Sequence, residues 1–153
     1  MNKPQLVNVL IGKSIAETIL VGAIAVGAFL NAFPPTFHGW GEAVMQTKSV
    51  AGWAVNDADE WQRLEVQLFV DGQPAAEQIA NLSRPDVAAA GWAKDEWHGY
   101  NFALPSLPAG NHEARVYVRH ESGDAARYTL QLLGDPIRFV VNADGSWRTA
   151  NQD

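Results

Sequence analysis

The chain has 153 residues, of which 47% are hydrophobic and 18% are charged, and it contains no cysteine. This length corresponds to about one domain, the apolar fraction excludes intrinsic disorder, and the lack of cysteine excludes disulfides, thiolate metal sites and thiol nucleophiles. The formal net charge of −6 argues against a nucleic-acid partner, because proteins that bind nucleic acids usually carry a basic face.

An apolar run from Ile15 to Phe33 predicts a single transmembrane helix over about residues 14–33. The run contains one acid, Glu17, and Pro34-Pro35 ends it because proline cannot continue a helix. About 20 helical residues at roughly 1.5 Å each cross the hydrocarbon core of a bilayer. A cleaved signal peptide and a buried core helix remain as alternatives, because both also contain apolar runs.

Basic residues before the span predict its orientation. Lys3 and Lys13 precede the run, and no acid lies between them. The positive-inside rule therefore places the N-terminus in the cytoplasm and the rest of the chain on the periplasmic, extracytoplasmic side of an inner (plasma) membrane. Glu17 follows Lys13 by four residues, so the two side chains can pair on a helix.

Small residues in the span predict contact with another helix. Ala23 and Gly27 form a small-xxx-small unit, which allows helix backbones to approach closely in lipid. The expected helix-packing residues are Ala16, Gly22, Ala23 and Gly27.

After Pro34-Pro35 the sequence changes to short alternating apolar and polar runs separated by turn residues. Asp71-Gly72, directly after one such run, is a strong hairpin signal. One short helix is predicted at residues 86–90, where Pro85 suits a first helical position. Short strands in this number are typical of an antiparallel β-sandwich, and they are predicted at 40–44, 50–55, 64–70, 100–104, 114–118, 128–132 and 137–141.

These patterns predict three regions. Residues 1–35 form a cytoplasmic tip and the transmembrane helix, residues 36–145 form the β-sandwich, and residues 146–153 form a C-terminal tail.

Several motifs follow one another at close intervals in the second region: GWAVND at 52–57, VQLFVDG at 66–72, SRPDVAAAG at 83–91 and HGYNFALP at 98–105. Over residues 39–140 this series resembles a bacterial Ig-like β-sandwich module that is appended to glycosyltransferases, cell-wall enzymes and surface proteins. The resemblance implies an Ig-like fold and an accessory role. It implies no fixed ligand and no catalytic residue.

The polar residues form no pattern that predicts an enzyme, a cofactor or a metal centre. The histidines lack the i, i+4 helical spacing of a zinc motif, and no Gly-x-Ser-x-Gly elbow or Gly-rich phosphate loop is present. His98 and His112 stand at strand starts and are expected to make structural hydrogen bonds. The acids of residues 57–60 with Asp71 are either calcium ligands or a solvated acidic turn.

The sequence contains six tryptophans, which can serve the core or a surface. Trp53, inside an alternating strand, is expected in the core. Trp92 and Trp97 flank a charged turn and are expected to be exposed, where aromatic rings suit protein interfaces or stacking on sugars. Trp40 lies seven residues beyond the span and could anchor at the membrane interface.

Together these features predict a non-catalytic, membrane-anchored accessory subunit. It would pack against a larger membrane protein complex through both its helix and its extracytoplasmic sandwich, with lipid as its other neighbour. A bioenergetic host, such as a photosynthetic reaction-centre–antenna or respiratory complex, is one example. A membrane-anchored carbohydrate-binding module is the alternative, and a pilin-like filament subunit is a third, suggested by Glu17 early in the apolar helix although the prepilin cleavage pattern is missing.

Overall fold

A computed structural model of the chain describes residues 3–32, 37–122 and 127–150. The chain divides into two compact units, Met1–Pro34 and Pro35–Asp153.

The first unit is a single long helix, α1 (Lys3–Ala32), of 30 residues. At roughly 1.5 Å per residue its axis is about 45 Å long. The segment Ile11–Ala28 has a mean hydropathy of 1.5 and none of it is buried. The predicted apolar helix is therefore confirmed, and by length and composition it is able to cross a membrane. Lys13 and Glu17 form the expected ion pair, with 3.5 Å between Nζ and Oε1.

The second unit consists of strands and one short helix, α2 (Pro85–Ala89). The strands are β1 (Phe37–Val44), β2 (Ser49–Asn56), β3 (Glu65–Val70), β4 (Gln73–Ile79), β5 (Leu82–Ser83), β6 (Trp97–Ala103), β7 (Gly110–Ser122), β8 (Arg127–Leu132), β9 (Ile137–Val141) and β10 (Trp147–Thr149).

The strands form two antiparallel sheets. The first sheet has the order β1-β2-β6-β5, and the second has the order β10-β9-β7-β3-β4. Strand β7 is long enough to pair along one side with β9 through residues 110–114 and with β8 through residues 117–122. The chain thus passes between the sheets after β2, β4 and β6, which brings distant segments into one core.

Both sheets contribute side chains to a common core. Strand β3 alternates regularly, with Val66, Leu68 and Val70 buried, because one face of the sheet meets the other sheet and one face meets water. The first sheet contributes Val50, Ala54, Tyr100 and Phe102, and the second contributes Val116, Val118, Phe139 and Val141.

The predicted antiparallel all-β architecture after the helix is confirmed, and each of the seven predicted strands is present. Strands β4, β5 and β10 were not predicted. Strand β10 pairs with β9 through Trp147↔Val141, so the prediction of a tail from residue 146 is wrong over this strand. The short helix begins at Pro85, as the proline indicated.

Two facing glycines make room for a buried tyrosine in the first sheet. Gly41 of β1 lies opposite Gly52 of β2, and a Cβ on either residue would collide with the hydroxyl of Tyr100. That hydroxyl donates a hydrogen bond to the carbonyl oxygen of Trp40 at 3.2 Å. Burial raises the pKa of the Tyr100 phenol, so the group stays neutral and serves as a donor.

The turn between β3 and β4 is the predicted two-residue hairpin. Asp71 and Gly72 have φ values of 51° and 76°, the left-handed conformations that this tight turn requires. The Asp71 carboxylate also accepts a hydrogen bond from the backbone N–H of Glu113 at 3.0 Å, which attaches the turn to β7.

Candidate functional site

The outer face of the first sheet carries a row of aromatic side chains. Trp40 of β1 lies opposite Trp53 of β2 in the strand register, and directly opposed residues project from the same face of a sheet. Their sequence neighbours Gly41 and Gly52 face the buried Tyr100, so the two tryptophans point away from the core. Trp40 is 46% exposed, and Trp53 is partly buried.

Trp92 completes this cluster from outside the sheet. Its ring centroid lies 6.0 Å from that of Trp53 and 5.1 Å from that of His38. His38 is in turn bound to Asp57, with 2.7 Å between Nδ1 and Oδ1. The Trp92 ring is therefore held from two sides, yet 46% of the residue is exposed. We call His38, Trp40, Trp53 and Trp92 the aromatic face.

The segment that carries Trp92 is anchored by a small second core. Val55 is the next outward-facing residue after Trp53 along β2, and it is buried by Val87 of α2 and by Ala93. Trp53 packs against this group. The backbone N–H of Trp92 donates to the carbonyl oxygen of Val87 at 3.2 Å. Helix α2 therefore fixes the position of Trp92 against the sheet.

Polar groups lie beside the aromatic face on the same side of the sheet. The register places exposed Glu42 and Asn101 in one row on either side of Ala51. The side chain of Arg84 passes close to Gly99, and a Cβ added to this glycine would lie only 2.8 Å from the Arg84 Cγ. Carboxylate, amide and guanidinium groups thus border the tryptophans.

The Arg84 guanidinium is held by a bidentate ion pair. Nε and Nη2 donate to the two carboxylate oxygens of Asp86 at 2.8 and 2.6 Å. The hydrogen bonds to Asp86, and further the charges of Asp86 and Glu42, raise the pKa of Arg84 despite partial burial. The same hydrogen bonds lower the pKa of the exposed Asp86 carboxyl.

The predicted exposure of Trp92 and Trp97 is confirmed, at 46% and 47%. Trp97 projects from the outer face of β6, two residues before Gly99, and it makes no ring contact with the aromatic face among the described residues. Trp53, expected in the core, is partly buried against the small second core on the outer face of the sheet and not in the main core, because alternation from the buried Ala54 turns it outward. The interfacial role of Trp40 stays a prediction. No sequence pattern connects His38 with these residues.

The histidines at strand starts make the structural hydrogen bonds that were expected. His112 binds Asp71 through Nδ1 at 2.7 Å and the carbonyl oxygen of Pro108 through Nε2 at 2.9 Å. His98 is fully buried, and its Nε2 lies 3.1 Å from an Arg63 guanidinium nitrogen. Burial, and next the Arg63 charge, lower the pKa of His98.

The acids considered as calcium ligands have separate partners. Asp57 binds His38, Asp59 accepts the backbone N–H of Trp61 at 3.2 Å, and Glu60 pairs with Lys94 at 2.7 Å. Asp71 lies with His112. Within residues 3–32, 37–122 and 127–150, no three His, Cys, Asp or Glu side chains converge as a metal site would require.

The small residues of α1 occupy mostly one side of the helix. At about 100° per residue, Ala16, Ala23 and Gly27 fall within one narrow sector, and Gly12 joins them one turn before Ala16. Gly22 is about 100° away from Ala23 and lies outside this sector, and the packing role of these residues stays a prediction. No heavy atom outside the helix backbone lies within 4 Å of a Cβ built at Gly12 or Gly27.

These observations define an antiparallel two-sheet domain together with an N-terminal helix that is long and apolar enough to cross a membrane. No family model matches the chain, and no solved structure matches it. A comparison with curated proteins found 26% identity over 140 residues to nuclease P1 of Penicillium citrinum, which covers 88% of this chain and 48% of that protein. The chain therefore spans about half the length of this relative, and identity at this level does not show a shared family.

Proposed function

We propose that the chain is a non-catalytic, membrane-anchored accessory subunit of a larger membrane protein complex. In this proposal α1 crosses the membrane and packs against neighbouring helices, while an Ig-like sandwich stands on the extracytoplasmic side. The observation that carries the proposal is the apolar surface of α1, since none of the segment Ile11–Ala28 is buried.

Large apolar side chains surround most of this helix. Ile11, Ile15, Ile19, Leu20, Val21, Ile24 and Val26 are each 53% or more exposed. A helix that is apolar on nearly all sides needs lipid or other protein as its surroundings. Gly12, Ala16, Ala23 and Gly27 fall within one narrow sector of this surface, with Ile19 and Leu20 at its two edges. Small residues in such a sector support close contact with another membrane helix.

The charges of α1 agree with a span. Lys13 and Glu17 lie within the apolar segment but neutralise each other at 3.5 Å, which lowers the cost of placing them in a membrane near its surface. Lys3 and Lys13 support the cytoplasmic placement of the N-terminus by the positive-inside rule.

The decisive experiment measures the native mass of the full chain after mild detergent extraction from the membranes that produce it. We expect a complex much heavier than the 16.7 kDa chain. The double variant Ala23→Leu/Gly27→Leu fills the small-residue sector, so it should release the subunit from the complex. A lone wild-type monomer that copurifies with no other membrane protein would contradict the proposal.

Gly22→Leu is the matched control because it makes the same kind of change in the same part of the helix but outside the sector. We expect this variant to stay in the complex. If Gly22→Leu and Ala23→Leu/Gly27→Leu leave the complex to the same extent, the added bulk acts through membrane insertion and not through the packing face.

A further inference from the structure

We propose that the aromatic face, with the polar groups beside it, is a binding site for a neutral polysaccharide built of pyranose units. This inference concerns a ligand of the β-domain and goes beyond the proposed packing of the helix in a membrane complex. It rests on the arrangement of Trp40, Trp53 and Trp92 with Glu42, Arg84 and Asn101.

The ligand must match an apolar surface bordered by hydrogen-bonding groups. A pyranose ring has C–H groups on its face and hydroxyl groups around its rim. The C–H groups carry partial positive charge and favour the negative face of an indole ring, and Trp40 and Trp92 each expose close to half of their surface for such contact. Two aromatic surfaces on one sheet face can contact more than one sugar unit.

The polar groups beside the aromatic face supply the hydrogen-bonding partners that the sugar hydroxyls need. Exposed Glu42 accepts hydrogen bonds, Arg84 donates them, and Asn101 does both. A protein partner would be a poorer match for Glu42, because carboxylates are depleted from the buried centres of protein interfaces.

The site is organised before a ligand arrives. Trp92 is held between Trp53 and His38, and Asp57 holds His38 at 2.7 Å. Asp86 holds the Arg84 guanidinium through two hydrogen bonds. Because these side chains are already ordered, binding costs little conformational entropy. Half-exposed tryptophans without such support would have to be fixed by the ligand.

The charge of the site selects a neutral glycan. The carboxylates of Glu42, Asp57 and Asp86 lie on or beside the face, against the guanidinium groups of Arg84 and of Arg138, which lines one pocket with Trp40 and Glu42. The whole chain carries a formal net charge of −6. Uronic acids and sulfated sugars would therefore be repelled. Trp40 and Glu42 also line a pocket with Ile137 and Arg138, so the site extends beyond the aromatic rings and suits the side of a long chain better than a single sugar.

The experiment applies the full chain in lipid nanodiscs to an array of neutral oligosaccharides (β-glucans, mannans and chitooligosaccharides) beside acidic ones (alginate and heparin fragments). We expect binding to at least one neutral class and to no acidic class. Trp92→Ala and Trp40→Ala should each weaken that binding about tenfold or more, as truncation of an aromatic anchor does at other binding sites.

Trp61→Ala is the matched control, because Trp61 is 62% exposed and lies outside the aromatic face; it should change the affinity less than about twofold. Asn101→Ala removes an exposed side chain and should weaken binding about threefold or more without lowering the unfolding temperature. Failure to bind any neutral glycan would overturn the inference, as would binding confined to acidic glycans or binding that survives both Trp40→Ala and Trp92→Ala. The native mass of Trp92→Ala separates the two proposals, since loss of glycan binding leaves the helix contact unchanged.

Discussion

His112 is the residue whose surroundings most clearly dictate its charge. Its two ring nitrogens face two acceptors, the Asp71 carboxylate at 2.7 Å and the Pro108 carbonyl oxygen at 2.9 Å. Only an imidazolium has an N–H for each of them. Burial opposes this charge, but the hydrogen bonds and the charge of Asp71 outweigh it and raise the pKa of His112 above 6.5.

A pH-dependent stability follows from this raised pKa. The stabilisation from charged His112 is fully present below pH 6.5, the value for an unfolded chain, and is lost as the pH rises through the higher pKa of the folded state. We therefore expect the unfolding free energy of the full chain in detergent to fall as the pH rises above 6.5, by about 1–2 kcal/mol because water screens the half-exposed Asp71. Chemical denaturation across this range measures it.

Asp71→Asn is the control for this effect. Asparagine tolerates the positive φ of 51° at this turn and can still accept the Glu113 N–H, but it carries no charge. The variant should therefore lose most of the decline above pH 6.5. Burial raises the pKa of Asp71, but the hydrogen bonds from Glu113 and His112 and the charge of His112 lower it overall. The stabilisation that the charged Asp71 carboxylate contributes is thus fully present above pH 3.8, and it is lost as the pH falls through the lower pKa of Asp71 in the folded state. Matching pH profiles of variant and wild type above pH 6.5 would refute this account.

At the scale of elements, β6 packs against β1 and β2 through Tyr100, whose side chain fills the slot left by the missing side chains of Gly41 and Gly52. A methyl group at Gly41 would strike the Tyr100 hydroxyl, whereas its next contacts, at 3.4 and 3.5 Å, are ordinary. We expect Gly41→Ala to lower the unfolding free energy by about 1–3 kcal/mol, and Tyr100→Phe to recover part of that loss by removing the hydroxyl.

Gly52→Ala distinguishes side-chain crowding from backbone crowding. Its methyl group would strike the Trp40 carbonyl oxygen as well as the Tyr100 ring, and the backbone cannot move aside as a side chain can. Adding Tyr100→Phe should therefore not rescue Gly52→Ala. A double-mutant cycle on each pair, measured by thermal unfolding, tests this difference. The slot would be disproved as the cause if Tyr100→Phe rescued neither or both glycine variants equally.

The strands that the sequence pattern predicts and those that it does not predict differ in how they are stabilised. Strand β3 shows its identity through buried Val66, Leu68 and Val70. Strand β4 contains Pro74 and is exposed along nearly its whole length, so its pairing with β3 stabilises it without an apolar pattern. Strand β10 has three residues, too few to show a period. Edge strands of this kind depend on hydrogen bonds to a neighbour, which sequence periodicity does not report.

The candidate site shows the same limit. The charged turn of residues 94–96 correctly predicted that Trp92 and Trp97 are exposed. The meeting of Trp92 with His38, 54 positions earlier, depends on where Val87 and Ala93 seat α2 against β2. Only the assembled fold brings those segments together, so the pattern of single residues could not predict the cluster.

At the scale of the whole molecule, the β-domain contains a complete core of its own. Among the residues that the structure describes, the members of the main core and the side chains packed around it all belong to the range from Phe37 to Trp147. Apolar burial is the main force that holds a domain together. We therefore expect residues 35–153, expressed without α1, to fold as a monomer in aqueous buffer with a cooperative thermal transition.

The full chain should behave differently, because it carries the exposed apolar segment Ile11–Ala28. We expect it to sediment with membranes and to need detergent for extraction. Its β-domain should melt within about 3 °C of the truncated form, because a change of about 1 kcal/mol in stability would shift the melting temperature of a domain of this size by more than that. Light scattering after size exclusion and calorimetry of both forms test this pair of expectations. A truncated form that aggregates or lacks a transition would show that the sheets need α1 to fold, and a full chain that stays monomeric in plain buffer would remove the physical basis for the membrane anchor.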